Sequence, residues 1–176
     1  MKKKTIKITV DTDSLIDFFG KDPTWGTASK PLVADDFCKI DAPDIKWEGN
    51  KILPLESDTE YVVTLVSNSK KYPVTLYDKT TGDINGEINM DLITPTITKK
   101  SEWAEIFDLD RTKCEATLDG HLIVKPTKDD NFSVFTPEKV KLKENIFYLI
   151  FFRIGGADKM AVIDPLIANR SDDGNG

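Results

Sequence analysis

Apolar and polar positions alternate with a period of two along most of the chain, which is the pattern of strands with one buried face. Residues 5–10 set it, with Ile6, Ile8 and Val10 on one side and Thr5, Lys7 and Thr9 on the other. Segment 60–66 is the strongest strand, Tyr61, Val63 and Leu65 lying opposite Val62, Thr64 and Val66. The polar stretch Ser67-Asn68-Ser69-Lys70-Lys71 then predicts a turn, from which 74–77 returns to pair with its predecessor. Segment 90–98 reads as extended. Its Pro95 suits an edge because proline has no N–H for the ladder, and Pro54 restricts 53–55 in the same way. The clearest hairpin is 113–125, where Asp119-Gly120 predicts a two-residue type I′ turn with both residues at positive φ. Shorter strands are expected at 37–40, 45–47, 132–135 and 140–142. The long run 146–154 turns at Gly155-Gly156-Ala157-Asp158, returns as 159–163, and is stopped by Asp164-Pro165. Phe147, Phe151 and Tyr61 alternate within strong strands and are assigned to the core.

Helical periodicity is confined to two short pieces. Asp13 is placed to cap a helix over 14–19 that Gly20 closes, and Leu15, Phe18 and Phe19 share the face that would seal one end of a sheet core. Ser101 is the expected cap of a turn over 102–107. Residues 21–32 read as a loop carrying Trp25, and 171–176 as a disordered polar tail. Roughly ten strands with turn signals between them, and no crossover helices, predict an all-β fold. The expected architecture is a two-sheet antiparallel β-sandwich, jelly-roll or immunoglobulin-like, with one or two short helices in a single domain over 1–170.

The 176 residues and 19.8 kDa suffice for one core, since a chain of this size buries about 70% of its surface. The 24 basic and 30 acidic side chains give a net charge of −6, which argues against nucleic acid or an anionic membrane as partner. The lysine-rich start is not followed by an apolar stretch of signal-peptide length, and the longest apolar run, 146–152, is far short of the ~20 residues that span a bilayer. A cytoplasmic protein is expected. Cys38 and Cys114 have no C-x-x-C spacing and read as free, buried thiols, a disulfide between them being the alternative.

Candidate chemistry is sparse. His121 is the only histidine and reads as a rim residue beside a hairpin tip, without the partners a His-based zinc site or a catalytic triad requires. Asp11, Asp13 and Asp17 could offer oxygens to calcium. The EF-hand pattern fails, however, because Ile16 and Asp22 stand where glycine and glutamate are needed, and Asp13 has a simpler role as a cap. No metal or cofactor is expected. Trp25, Trp47 and Tyr72 lie in or beside loops near the acidic turn residues Asp78 and Asp83, a combination that can stack on a sugar and bind its hydroxyls. These five are the candidate ligand-binding residues. A carboxylate hydrolase would need two acids at a defined separation in a cleft.

Three segments together resemble the bacterial PixA/AidA family of inclusion-body and stress- or quorum-induced proteins. Ile6-Lys7-Ile8-Thr9-Val10-Asp11-Thr12-Asp13-Ser14-Leu15-Ile16 is similar to the family's first strand and short helix. The stretch from Tyr61 through Ser67-Asn68-Ser69 to Val74-Thr75-Leu76-Tyr77 is similar to its central pair, and Ala161-Val162-Ile163-Asp164-Pro165-Leu166-Ile167 to its close. The chain departs in having three methionines, where some inclusion-forming relatives are rich in them, and in Ile163, where a tryptophan is frequent. These departures argue against bulk storage. The resemblance implies a compact β-sandwich of the bacterial cytoplasm and no catalytic residues. The expected function is therefore a non-enzymatic, self-associating protein, a homodimer, with carbohydrate binding as the alternative.

Overall fold

The structure, a computed structural model, describes residues 1–45, 55–76, 90–93, 97, 99–127, 131–140 and 146–163. Among these lie eleven strands and two short α-helices, and the fold is all-β with two sheets.

The four-stranded sheet, sheet A, is built outward from β1 (Lys2–Val10) and β4 (Thr59–Ser67). These two pair in parallel along their whole length, from Lys2↔Thr59 to Val10↔Ser67. β3 (Cys38–Asp41) adds antiparallel to β1, and β9 (Asn131–Phe135) antiparallel to β4. Sheet B runs β2 (Leu32–Val33), β11 (Lys159–Ile163), β10 (Phe147–Ile154), β6 (Met90–Ile93), β8 (Leu122–Val124), β7 (Cys114–Ala116), with β5 (Val74–Thr75) joining β10 at its far end. β2 and β11 are also parallel. The sheets are thus mixed, not antiparallel throughout as expected. A parallel pair needs a long connection, and the segment between β1 and β4 supplies one by way of β2 and β3.

Two expected pairings change for the same reason: alternation locates a strand but does not name its partner. Val74–Thr75 does not fold back on β4. It pairs with β10 through Ile154↔Val74 and Arg153↔Thr75. In the turn before it, Ser67 Oγ takes the Ser69 N–H at 2.9 Å and Ser69 Oγ the Lys71 N–H at 3.2 Å, and the chain passes to the other sheet. β6 is an interior strand between β10 and β8, not an edge; Pro95 and Pro54 lie outside the described residues. The β7–β8 hairpin forms as predicted but through three residues, Leu118, Asp119 and Gly120, with Thr117 N–H bonded to His121 O at 2.9 Å. Only Gly120 takes positive φ, +90°, so the type I′ turn is not used. Ile45 and Val140 lie outside strands. The rest of their expected strands, residues 46–47 and 141–142, fall outside the described residues, as do Asp164-Pro165 and the tail.

Helix α1 (Thr12–Phe19) starts earlier than predicted. Its cap is Asp11, not Asp13: Asp11 Oδ1 accepts from Ser14 N–H at 3.1 Å and Oδ2 from the Ser14 hydroxyl at 2.8 Å. Asp11 follows the last residue of β1, so strand end and helix cap are adjacent. Gly20 ends the helix in the right-handed region, φ −69°, its N–H on Ile16 O. Thr12 and Leu15 are buried, while Phe18 points outward. Helix α2 (Lys100–Trp103) is capped through Glu102, which accepts the Lys99 N–H at 3.0 Å, not through Ser101. It buries Trp103, whose Nε1–H donates to Gly120 O at 2.9 Å and holds the β7–β8 loop.

One hydrophobic cluster draws on both sheets, with Ile6, Ile8, Tyr61 and Leu65 from sheet A and Leu92, Leu122, Ile150 and Phe152 from sheet B. Tyr61 sits there as expected, its hydroxyl oxygen accepting the Glu56 N–H at 2.7 Å. Phe147 and Phe151 do not: Ile150, Phe152 and Ile154 face the core, and Phe147 is exposed on the other side. The stretch 146–152 is apolar at every position, so its alternation could not choose a face. Cys38 and Cys114 are free and half-buried, and burial pushes the Cys38 thiol up to about 12, with Asp35 adding to it.

Candidate functional site

Of the five predicted ligand residues, Trp47, Asp78 and Asp83 lie outside the described residues. Trp25 and Tyr72 both lie near the β10–β11 turn. Lys159 Nζ donates to Trp25 O at 2.7 Å, and Gly156, at φ +79°, passes so close that a Cβ there would meet Lys71 O at 2.5 Å and Tyr72 Cδ1 at 3.5 Å. Neither ring is a bare platform. Trp25 is half-buried, packs on Phe19 at 4.9 Å between centroids, and carries the Lys30 ammonium 4.4 Å above it. Tyr72 is half-buried beneath the Lys71 ammonium at 4.7 Å, and its carbonyl accepts the Thr12 hydroxyl at 2.8 Å. These contacts are those of an end closure built from α1, the 67–73 connection and the β10–β11 turn.

The larger feature is the face of sheet B turned away from the core. Register places on it Val33 of β2, Val162 of β11, Phe151, Leu149 and Phe147 of β10, Ile93 of β6 and Ile123 of β8, with Arg153 and Thr75 at one end, Glu115 of β7 at the edge, and Val162 buried. Phe147 is 41% and Val33 43% exposed. Leu118, at the hairpin tip, is fully exposed. The corresponding face of sheet A carries Lys3, Thr5, Lys7 and Thr9 of β1 beside Glu60, Val62, Thr64 and Val66 of β4, with Val62 buried.

Between the apolar side chains of this face sits a hydrogen-bonded acid–histidine pair. Asp91 on β6 lies between Leu149 and Ile123, and its Oδ2 is 3.0 Å from Nδ1 of His121, one residue before β8. The side chains are 14% and 31% exposed. On the other side of the ring, Nε2 stands 3.8 Å from Oδ2 of Asp119, whose Oδ1 accepts the Thr117 hydroxyl. Asp91 Oδ1 is buried and has no hydrogen-bond partner among the described residues. Burial pushes the Asp91 carboxyl above its usual range; the bond from His121 pulls the other way, and the nearby Asp119 charge adds to the rise. Asp119, solvated and bonded to Thr117, is held below its usual range.

Sequence reasoning read His121 as a rim residue without partners and passed over Asp91, because the two are joined only by the β6–β8 register. The available signal was Asp91 itself, a lone acid between Met90 and Leu92 in an apolar strand. Among the described residues no three His, Cys, Asp or Glu side chains converge as metal ligands, and no helix is long and apolar enough to cross a membrane. No protein-family model matches the chain, and no curated protein matches it.

Proposed function

We propose that the two sheets stack as a β-sandwich of the PixA/AidA type, and that the protein acts in the cytoplasm as a non-enzymatic dimer of identical chains. The observation that carries this reading is the apolar outer face of sheet B. A sheet that packs on a core with one side normally presents polar residues on the other. Here Phe147 and Val33 are exposed on the outer side, and Phe151, Leu149, Ile93 and Ile123 are half-buried there. A patch of that kind marks an interaction surface. A second copy is the natural occupant, because a two-fold contact sets one sheet face on its own image. Carbohydrate binding draws less support, since Trp25 and Tyr72 already hold lysine ammonium groups against their rings.

Sedimentation velocity across a concentration series tests the proposal. Wild type should dimerise. Phe147→Lys should shift it to monomer with unchanged circular dichroism, and Thr5→Lys on the sheet A face should leave association as it was. A chain that stays monomeric at the highest concentration overturns the reading.

A further inference from the structure

The Asp91–His121 pair lies on the face proposed for the dimer contact, and the inference below rests on that reading. We infer that association through this face takes up protons: the Asp91–His121 pair makes the contact pH-dependent, tighter in mildly acidic than in mildly alkaline solution.

The geometry supplies the reason. The pair is a diagonal cross-strand contact hemmed by Ile93 and Ile123 on β6 and β8 and by Leu149 and Phe147 on β10. A partner covering those four side chains also covers the pair and removes the water that now reaches it. With His121 neutral, Asp91 would carry a net negative charge into the contact. Two-fold symmetry would bring a second such charge from the other copy, and burying unpaired charge is costly. With one proton on the pair, imidazolium and carboxylate sum to zero, and both form a charge-assisted hydrogen bond. Asp91 Oδ1, buried and without a hydrogen-bond partner among the described residues, already lies in a poorly solvated position. Among the described residues the charged group beside the pair is Asp119 at the hairpin tip, and Glu115 on β7 shares the same face across Ile123. Asp119, at 3.8 Å from Nε2, favours the same protonated state; β10 presents only apolar side chains here.

The experiment is dimer dissociation measured by sedimentation at pH 6, 7 and 8, with calorimetric dilution in buffers of different ionisation enthalpy to count protons directly. Wild type should associate at least about tenfold more tightly at pH 6 than at pH 8, with net proton uptake. Asp91→Asn should reverse the trend, because protonating His121 then adds a charge where none was buried. The double variant Asp91→Asn/His121→Gln should associate with no dependence on pH over this range, and circular dichroism checks that each variant is folded. A wild-type dimer whose dissociation constant and proton count do not change with pH overturns the inference and leaves the dimer standing. Absence of a dimer at every pH overturns the dimer itself.

Discussion

The outer faces of the two sheets differ in a way that shows what alternation can encode. On sheet A, β1 presents Lys3, Thr5, Lys7 and Thr9 outward and buries Ile6, Ile8 and Val10, so the inward face can be read from the chain alone. Ion pairs reinforce the N-terminal end of this sheet: Lys3 Nζ lies 3.3 Å from Glu60, and Lys2 and Lys4 both reach Glu56. On sheet B, β10 is apolar on both sides from Phe147 to Phe152. Its faces are separated only by what its neighbours bring, Ile163 and Ala161 from β11 and Met90 and Leu92 from β6. A strand polar on one side settles its own orientation; a strand apolar on both leaves the choice to its partners.

The largest expected effect lies within β10. Phe152→Ala should cost about 3–5 kcal/mol in urea unfolding, as for a fully buried ring, and Phe151→Ala, one residue earlier and half-buried, less than half as much. Equal losses would mean that both faces are packed alike. Next in size is the hairpin that carries His121. Gly120 holds φ +90° and offers its carbonyl to Trp103, so Gly120→Val should lower stability by roughly 1–3 kcal/mol. An unchanged melting temperature would contradict this turn. A smaller contrast compares charges placed on the two outer faces. Leu149→Lys should destabilise by about 1 kcal/mol, while Thr5→Lys stays within about 0.5 kcal/mol.

The finest test is titration. Glu56 and Asp58, at the lysine-rich end of sheet A, are held below their usual range by Lys4 and Lys2 and by the N-terminal ammonium respectively. An acid lowered in the folded state stabilises above its unfolded value, near 4, and that contribution is lost as pH falls. Asp91 is raised by burial, so its sign is opposite: folding favours its protonated form, and its contribution grows as pH falls through the raised value. Carboxyl chemical shifts followed by NMR should put the midpoint of Asp91 above 3.8 and that of Glu56 below 4.5. The reverse order would remove the electrostatic difference between the faces.

Legibility followed the range of the interaction involved. Strands β1, β4, β9, β10 and β11 stand where period-two patterning put them, because a half-buried strand needs only its own residues to be recognised. The helix cap was misplaced by two residues: Asp11 and Asp13 are both good caps, and the end of β1 at Val10 decided between them. The candidate site was less legible. Trp25 and Tyr72 have rings that fold onto Phe19, Lys30 and Lys71, and nothing local distinguishes a loop aromatic that is covered from one that is free. Asp91 and His121, 30 positions apart, became neighbours only through the β6–β8 register.

The spacing of apolar side chains along the chain is enough to show that it is built of short strands, where most of them lie, and which side of β1 turns inward. These follow from each segment's own spacing of apolar side chains. Only the tertiary structure decided that β1 and β4 run parallel, that Val74–Thr75 joins β10, that Phe152 and not Phe151 enters the core, and that an acid and a histidine meet on an apolar face. Those outcomes depend on hydrogen-bond partners distant in the chain, and the pattern within one strand is compatible with several of them.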